Sequence, residues 1–161
     1  NSLTINLMNI MKKVLKFAVM ALAAALTLAA CEKKGGEEET PKVSVDGKQW
    51  CFEWSGMGMP INCVLDLGVN TDKTAYFLMD GAVMGAEGWV PYFGGTYKIT
   101  ETDETSGKIT IVDPSDPTAS EVVFEYKELT DKTVKISNAA PFALENVAAT
   151  ASETKLEMAQ M

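Results

Sequence analysis

From Val43 onward the chain alternates apolar and polar side chains with period two, which restricts it to half-buried strands. In Gln49–Trp54, Trp50, Phe52 and Trp54 share one face. Tyr97 and Ile99 oppose Lys98 and Thr100, and Ile109 and Ile111 oppose Lys108 and Thr110. Val122, Phe124 and Tyr126 oppose Val123, Glu125 and Lys127, and Val134 and Ile136 oppose Thr133, Lys135 and Ser137. One apolar face and one wet face suit antiparallel pairing.

The interruptions are turn-like. Asp46-Gly47 is a tight-turn signal. Thr71–Thr74 and Thr130–Thr133 carry the same tetrapeptide between strand-like runs and read as hairpin turns, as does Thr102–Gly107. Asp113-Pro114-Ser115-Asp116-Pro117 cannot be a central strand and reads as a longer loop. No long amphipathic helix follows Cys31. The pattern predicts an all-β fold, an antiparallel meander of seven or eight strands closed as a barrel or folded as a sandwich. The last strand is the least legible: Pro141–Ala151 reads as irregular, and Lys155–Met158 reads as the closing strand.

The segment before the strands is a different physical object. All 22 acidic residues lie after Cys31, whereas Lys12, Lys13 and Lys16 lie before it. An uncharged run of 14 residues, Phe17–Ala30, follows those lysines. It is short for a membrane-spanning helix of about 20 residues and right for the apolar part of a helical signal peptide. Leu28-Ala29-Ala30-Cys31 then resembles the lipobox of bacterial lipoproteins. That resemblance implies cleavage before Cys31 and attachment of acyl chains to it, so that the protein is held at a lipid bilayer. Glu32–Pro41 holds no large apolar residue and reads as a flexible acidic tether. The expected organisation is an upstream extension over 1–10, a lipoprotein signal peptide over 11–30, a lipidated cysteine and tether over 31–41, and a β-domain over 42–161. The acidic run after the cysteine resembles the surface-export signal of Bacteroidales-type lipoproteins, although Lys33-Lys34 intervene. The expected place is the outer membrane, on its periplasmic face or at the cell surface.

Within the β-domain, Val45-Asp46-Gly47-Lys48-Gln49-Trp50, Leu65-Asp66-Leu67-Gly68-Val69, Gly95-Thr96-Tyr97-Lys98-Ile99-Thr100 and Ser106-Gly107-Lys108-Ile109-Thr110 resemble small lipocalin-like lipoproteins of Bacteroidales-type bacteria. The resemblance covers roughly Val43–Ser137. It implies an eight-stranded up-and-down barrel and carries over no catalytic residue.

Composition narrows the chemistry. The chain has no His and no Arg. It therefore lacks the usual general base and metal ligand, and the bidentate clamp for phosphate or carboxylate. A net charge of −8 and a pI near 4.6 argue against nucleic acid as a partner. There is no glycine-rich phosphate loop, since Gly94-Gly95 leads into a strand. The acid pairs Asp103-Glu104 and Asp113/Asp116 lack the spacing of a calcium loop and read as solvated turns. No enzyme activity, cofactor or metal is expected.

Two sets of residues stand out. Cys51 and Cys63 form an even pair in an exported domain, which favours a disulfide. Strand phase opposes it, because Cys51 is out of step with Trp50 and Phe52, while Cys63 is in step with Leu65 and Leu67. Bridged and free thiols both remain open. Ser55–Pro60 and Gly81–Tyr92 are apolar yet loop-like, and with the end of the first strand they supply Trp54, Met57, Met59, Met84, Trp89 and Tyr92. Methionine suits an adaptable apolar binding surface, and a barrel mouth is a favoured place for one. These residues are candidates to bind a small apolar ligand or a partner protein. Against this, large inward side chains can fill an eight-stranded barrel solid. That alternative is a structural or adhesion-type surface protein without a small-molecule ligand.

Overall fold

The structure is a computed structural model that describes residues 41–116 and 118–160. The signal peptide, Cys31 and all of the tether but Pro41 lie outside the described residues. Eight strands run in chain order around one closed antiparallel barrel. They are β1 (Gln49–Trp54), β2 (Ile61–Leu67), β3 (Thr74–Asp80), β4 (Trp89–Glu101), β5 (Gly107–Val112), β6 (Val122–Lys127), β7 (Thr133–Asn138) and β8 (Leu144–Ala151). Closure is made by β1 and β8, through Trp50↔Ala151 and Cys51↔Thr150. Closing the sheet removes the exposed edges that an open meander would present.

The expected alternation places the core. Trp50, Phe52, Leu65, Leu67, Phe77, Ile109, Ile111, Phe124, Tyr126, Val134 and Ile136 belong to one buried cluster, with Trp54, Tyr97 and Ile99 packed against it. A ring from a loop completes the filling. Phe142, between β7 and β8, stacks on Phe77 with ring centroids 3.9 Å apart and planes 3° from parallel. Phe124 stacks on both. The barrel axis is thus occupied by aromatic side chains, each of which removes a large apolar area from water.

Two expectations require correction. Gly81–Tyr92 is not loop throughout: Gly81–Met84 is a short 3-10 helix, and Trp89–Tyr92 open β4. Pro91 and Gly94-Gly95 hide this strand from a propensity reading. The shift in its pairing with β3 between Phe77 and Leu78 falls beside Pro91, whereas Gly94 and Gly95 pair in register with Tyr76 and Ala75. The closing strand is Leu144–Ala151, not Lys155–Met158. Here Asn146 has φ +48°, and the β7 pairing shifts between Ile136 and Asn138, so the alternation is broken just where it would be read.

The up-and-down order sorts the connections into two ends. The turns β2–β3, β4–β5 and β6–β7 lie at one end, which we call the entry end. There the chain enters through Val45, whose carbonyl accepts from Trp50 Nε1, and Lys42 pairs with Glu101. The connections β1–β2, β3–β4, β5–β6 and β7–β8 lie at the opposite, far end.

Candidate functional site

The far end is built from apolar loops over an aromatic floor. The β1–β2 pairing continues without a shift to Trp54↔Ile61, which leaves Ser55–Pro60 as a protruding turn. Gly56 is needed there, because a Cβ on it would lie 1.8 Å from the Trp54 ring. In the β3–β4 connection Asp80 Oδ1 accepts from Ala82 N and starts the short helix that carries Met84. Met57, Met59 and Met84 are 64%, 53% and 53% exposed, and Tyr92 is 56% exposed. Val83 is exposed beside Met84. Apart from Val43 at the entry end, every exposed large apolar residue among the described residues belongs to the far end.

Beneath this rim sits the aromatic floor. The Tyr92 ring lies 6.3 Å from Trp54, 6.3 Å from Phe77 and 5.9 Å from Phe142. Trp54 meets Phe142 edge-on at 5.5 Å. Polar bonds hold Phe142 over the mouth. Asn138 Oδ1 accepts from Phe142 N at 2.9 Å, and Asn138 Nδ2 donates to the Val123 carbonyl at 2.8 Å. Trp54 Nε1 donates to the Phe142 carbonyl at 2.8 Å. Phe142 therefore closes the far mouth from inside. A groove of about 520 Å³, lined by Tyr76, Pro91, Tyr92 and Asp113 among others, runs down the flank of this end.

Most of the sequence candidates converge here. Trp54, Met57, Met59, Met84 and Tyr92 all belong to the far end. Trp89 does not join them: it pairs with Asp80, lies out of step with the interior residues Met79 and Val90, and points to the outer face. Phe142 and Phe77 were not among the candidates. Phe77 reads as ordinary strand core. Phe142 lies in a stretch without alternation, and only its neighbour Pro141, a loop marker, hints that it is a loop aromatic.

The cysteines are free and face opposite sides of the sheet. Cys63 pairs with Phe52 inside the barrel, and Cys51 pairs with Val64 on the outer face. No bulge corrects the register, so a bridge between them would have to pass through the sheet. Burial pushes the Cys63 thiol up to about 12, which keeps it protonated and unreactive. Asp103, Asp113 and Asp116 each accept from hydroxyls and backbone amides of their own turns, which favours their charged form and lowers their pKa from the ordinary carboxylate value. Their lone pairs serve turn geometry. No group of three or more Cys, Asp or Glu among the described residues is arranged to hold a metal ion. Comparison with family models, with curated proteins and with solved structures found no match to this chain.

Proposed function

We propose that the chain is a membrane-anchored bacterial lipoprotein, acylated at Cys31, whose barrel is a non-catalytic module that holds a partner protein through its far end. The observation that carries this reading is the confinement of Met57, Met59, Val83, Met84 and Tyr92 to the end opposite chain entry. Lys42 and Val45 place chain entry into the barrel at the end opposite these residues. Exposed methionine and tyrosine are enriched at interface cores, because they adapt or pack at low entropic cost. The stacked rings of Phe77, Phe124 and Phe142 favour a partner over a small molecule carried inside. The absence of His and Arg supports a role without catalysis.

Two experiments test the reading. Cys31→Ser is expected to leave the protein unprocessed or released from the membrane, and unchanged retention with normal cleavage contradicts the anchor. A photo-crosslinking amino acid at position 57 or 84, in intact cells, is expected to give one reproducible protein adduct that the same group at position 71 does not give. Equal labelling from both ends contradicts the directional surface. A small molecule retained by the purified domain in native mass spectrometry contradicts the packed interior and restores the carrier alternative.

A further inference from the structure

The segment after β8 does not leave the barrel. It crosses the outer face of β1–β3, where Val64 and Leu78 are fully buried although their register places them outside the interior cluster. Ser152 N donates to the Gln49 carbonyl at 2.8 Å and so ends the β8–β1 ladder, and past the exposed residues that follow it side chains take over. Gln49 takes both backbone groups of Leu156: Leu156 N donates to Gln49 Oε1 at 2.7 Å, and Gln49 Nε2 donates to the Leu156 carbonyl at 2.8 Å. Asn70 Nδ2 donates to the same carbonyl at 2.8 Å, and Asn70 Oδ1 accepts from Met158 N at 3.4 Å. The contacted groups, N–H and C=O of one residue and N–H two residues later, are those on one edge of an extended strand. Two amide side chains thus imitate a neighbouring strand.

Asp66 sets those amides. It is fully buried and accepts from Gln49 Nε2 at 2.8 Å, Asn70 Nδ2 at 2.6 Å and Val69 N at 2.8 Å, with Asn70 N nearby at 3.2 Å. Each amide NH₂ is divided between Asp66 and the Leu156 carbonyl, so both amides are fixed the right way round before the segment arrives. Beyond the clamp the segment meets the start of β4, where Ala159 N donates to the Trp89 carbonyl at 2.8 Å. Glu153, Thr154 and Lys155, between β8 and the clamp, are exposed and join no strand.

We infer that the outer face of β1–β3 is a recognition site for an extended peptide, and that the segment Leu156–Gln160 of a second copy can take it in exchange for the chain's own. The exposed link lets the segment leave without breaking the barrel, and an identical segment presents the same strand edge. Exchange of identical elements is a low-cost route to association. The attached segment wins at low concentration, because its effective concentration is in the millimolar range.

The test uses the full chain and a fluorescein-labelled peptide of residues 153–160, read by anisotropy. Leu156→Pro removes the N–H that meets Gln49 and frees the site of its own segment. This variant is expected to bind the peptide at least tenfold more tightly than the wild-type chain, and adding Gln49→Ala is expected to remove that gain. A folded Leu156→Pro chain that binds no tighter overturns the inference, as does a Gln49→Ala change without effect. The wild-type chain gives an independent readout, because exchange makes its mass depend on concentration: a dimer fraction that rises toward millimolar protein and is lost with Leu156→Pro is expected in sedimentation. A wild-type chain that stays monomeric throughout that range overturns the inference.

Discussion

Single side chains decide what this barrel can hold. Phe142 fills the mouth from a loop, and truncating a buried aromatic leaves a cavity its neighbours cannot close. Phe142→Ala is expected to cost about 3–5 kcal/mol in denaturant unfolding; a loss below about 1 kcal/mol would mean the ring is not part of the packed core. The Cys63 thiol and the Tyr97 phenol give the fold a pH signature. Both are raised chiefly by burial, and Tyr97 additionally by its bond to, and the charge of, Asp46. A raised value means that the folded state keeps a proton which the unfolded state releases. Their contribution is therefore complete below the ordinary values of 9.0 and 10.0 and is lost as pH rises above them. Urea midpoints are expected to fall from pH 9 toward 11, and Tyr97→Phe with Cys63→Ala is expected to flatten that fall. Iodoacetamide at pH 8 is expected to alkylate Cys51 and spare Cys63 until denaturant is added; equal labelling would contradict the opposite facing of the two thiols.

At the scale of elements, β4 shows where pattern reading stops. Its second half, Tyr97–Glu101, alternates and was legible, whereas its first half holds Pro91 and two glycines whose reason lies in the neighbouring strands. A Cβ on Gly95 would lie 2.1 Å from the Val112 carbonyl oxygen, and one on Gly94 would meet the Tyr76 ring at 2.4 Å. Backbone cannot yield as a ring can, so Gly95→Ala is expected to destabilise by about 1–3 kcal/mol and Gly94→Ala by less. Thermal unfolding of the two variants checks the order. The strands with clean alternation, β1, β5, β6 and β7, could be placed from the sequence, together with the inward set Trp50, Phe52, Phe124 and Tyr126. The last strand was missed because Leu144–Ala151 is rich in alanine and carries a left-handed residue at Asn146. Lys155–Met158 imitates a strand so well because it binds as one, to amide side chains in place of a ladder. Of the site, the methionines and Tyr92 were legible as apolar residues in turn-rich segments. The long-range contacts of Phe142 with Phe77, and of Asn138 with the Phe142 amide, leave no local trace.

For the whole barrel, the up-and-down order separates chain entry from the exposed apolar surface, one at each end. Chain entry, the short turns and the Tyr97–Asp46 bond share one end, and the exposed apolar surface lies at the other. Met57→Glu with Met59→Glu is expected to change stability by no more than about 0.5 kcal/mol, as exposed positions do, while abolishing the partner adduct formed from position 84. The central claim is that this barrel engages apolar matter at its far rim and not in its interior. Methyl spectra of methionine-labelled protein titrated with a benzyl-substituted nitroxide read this directly, because Met79 lies inside the barrel while Met57, Met59 and Met84 line the rim. Broadening confined to Met57, Met59 and Met84, with Met79 unchanged, is the predicted result. Broadening of Met79 at the same probe concentration would show that the interior admits a ligand and would contradict the account.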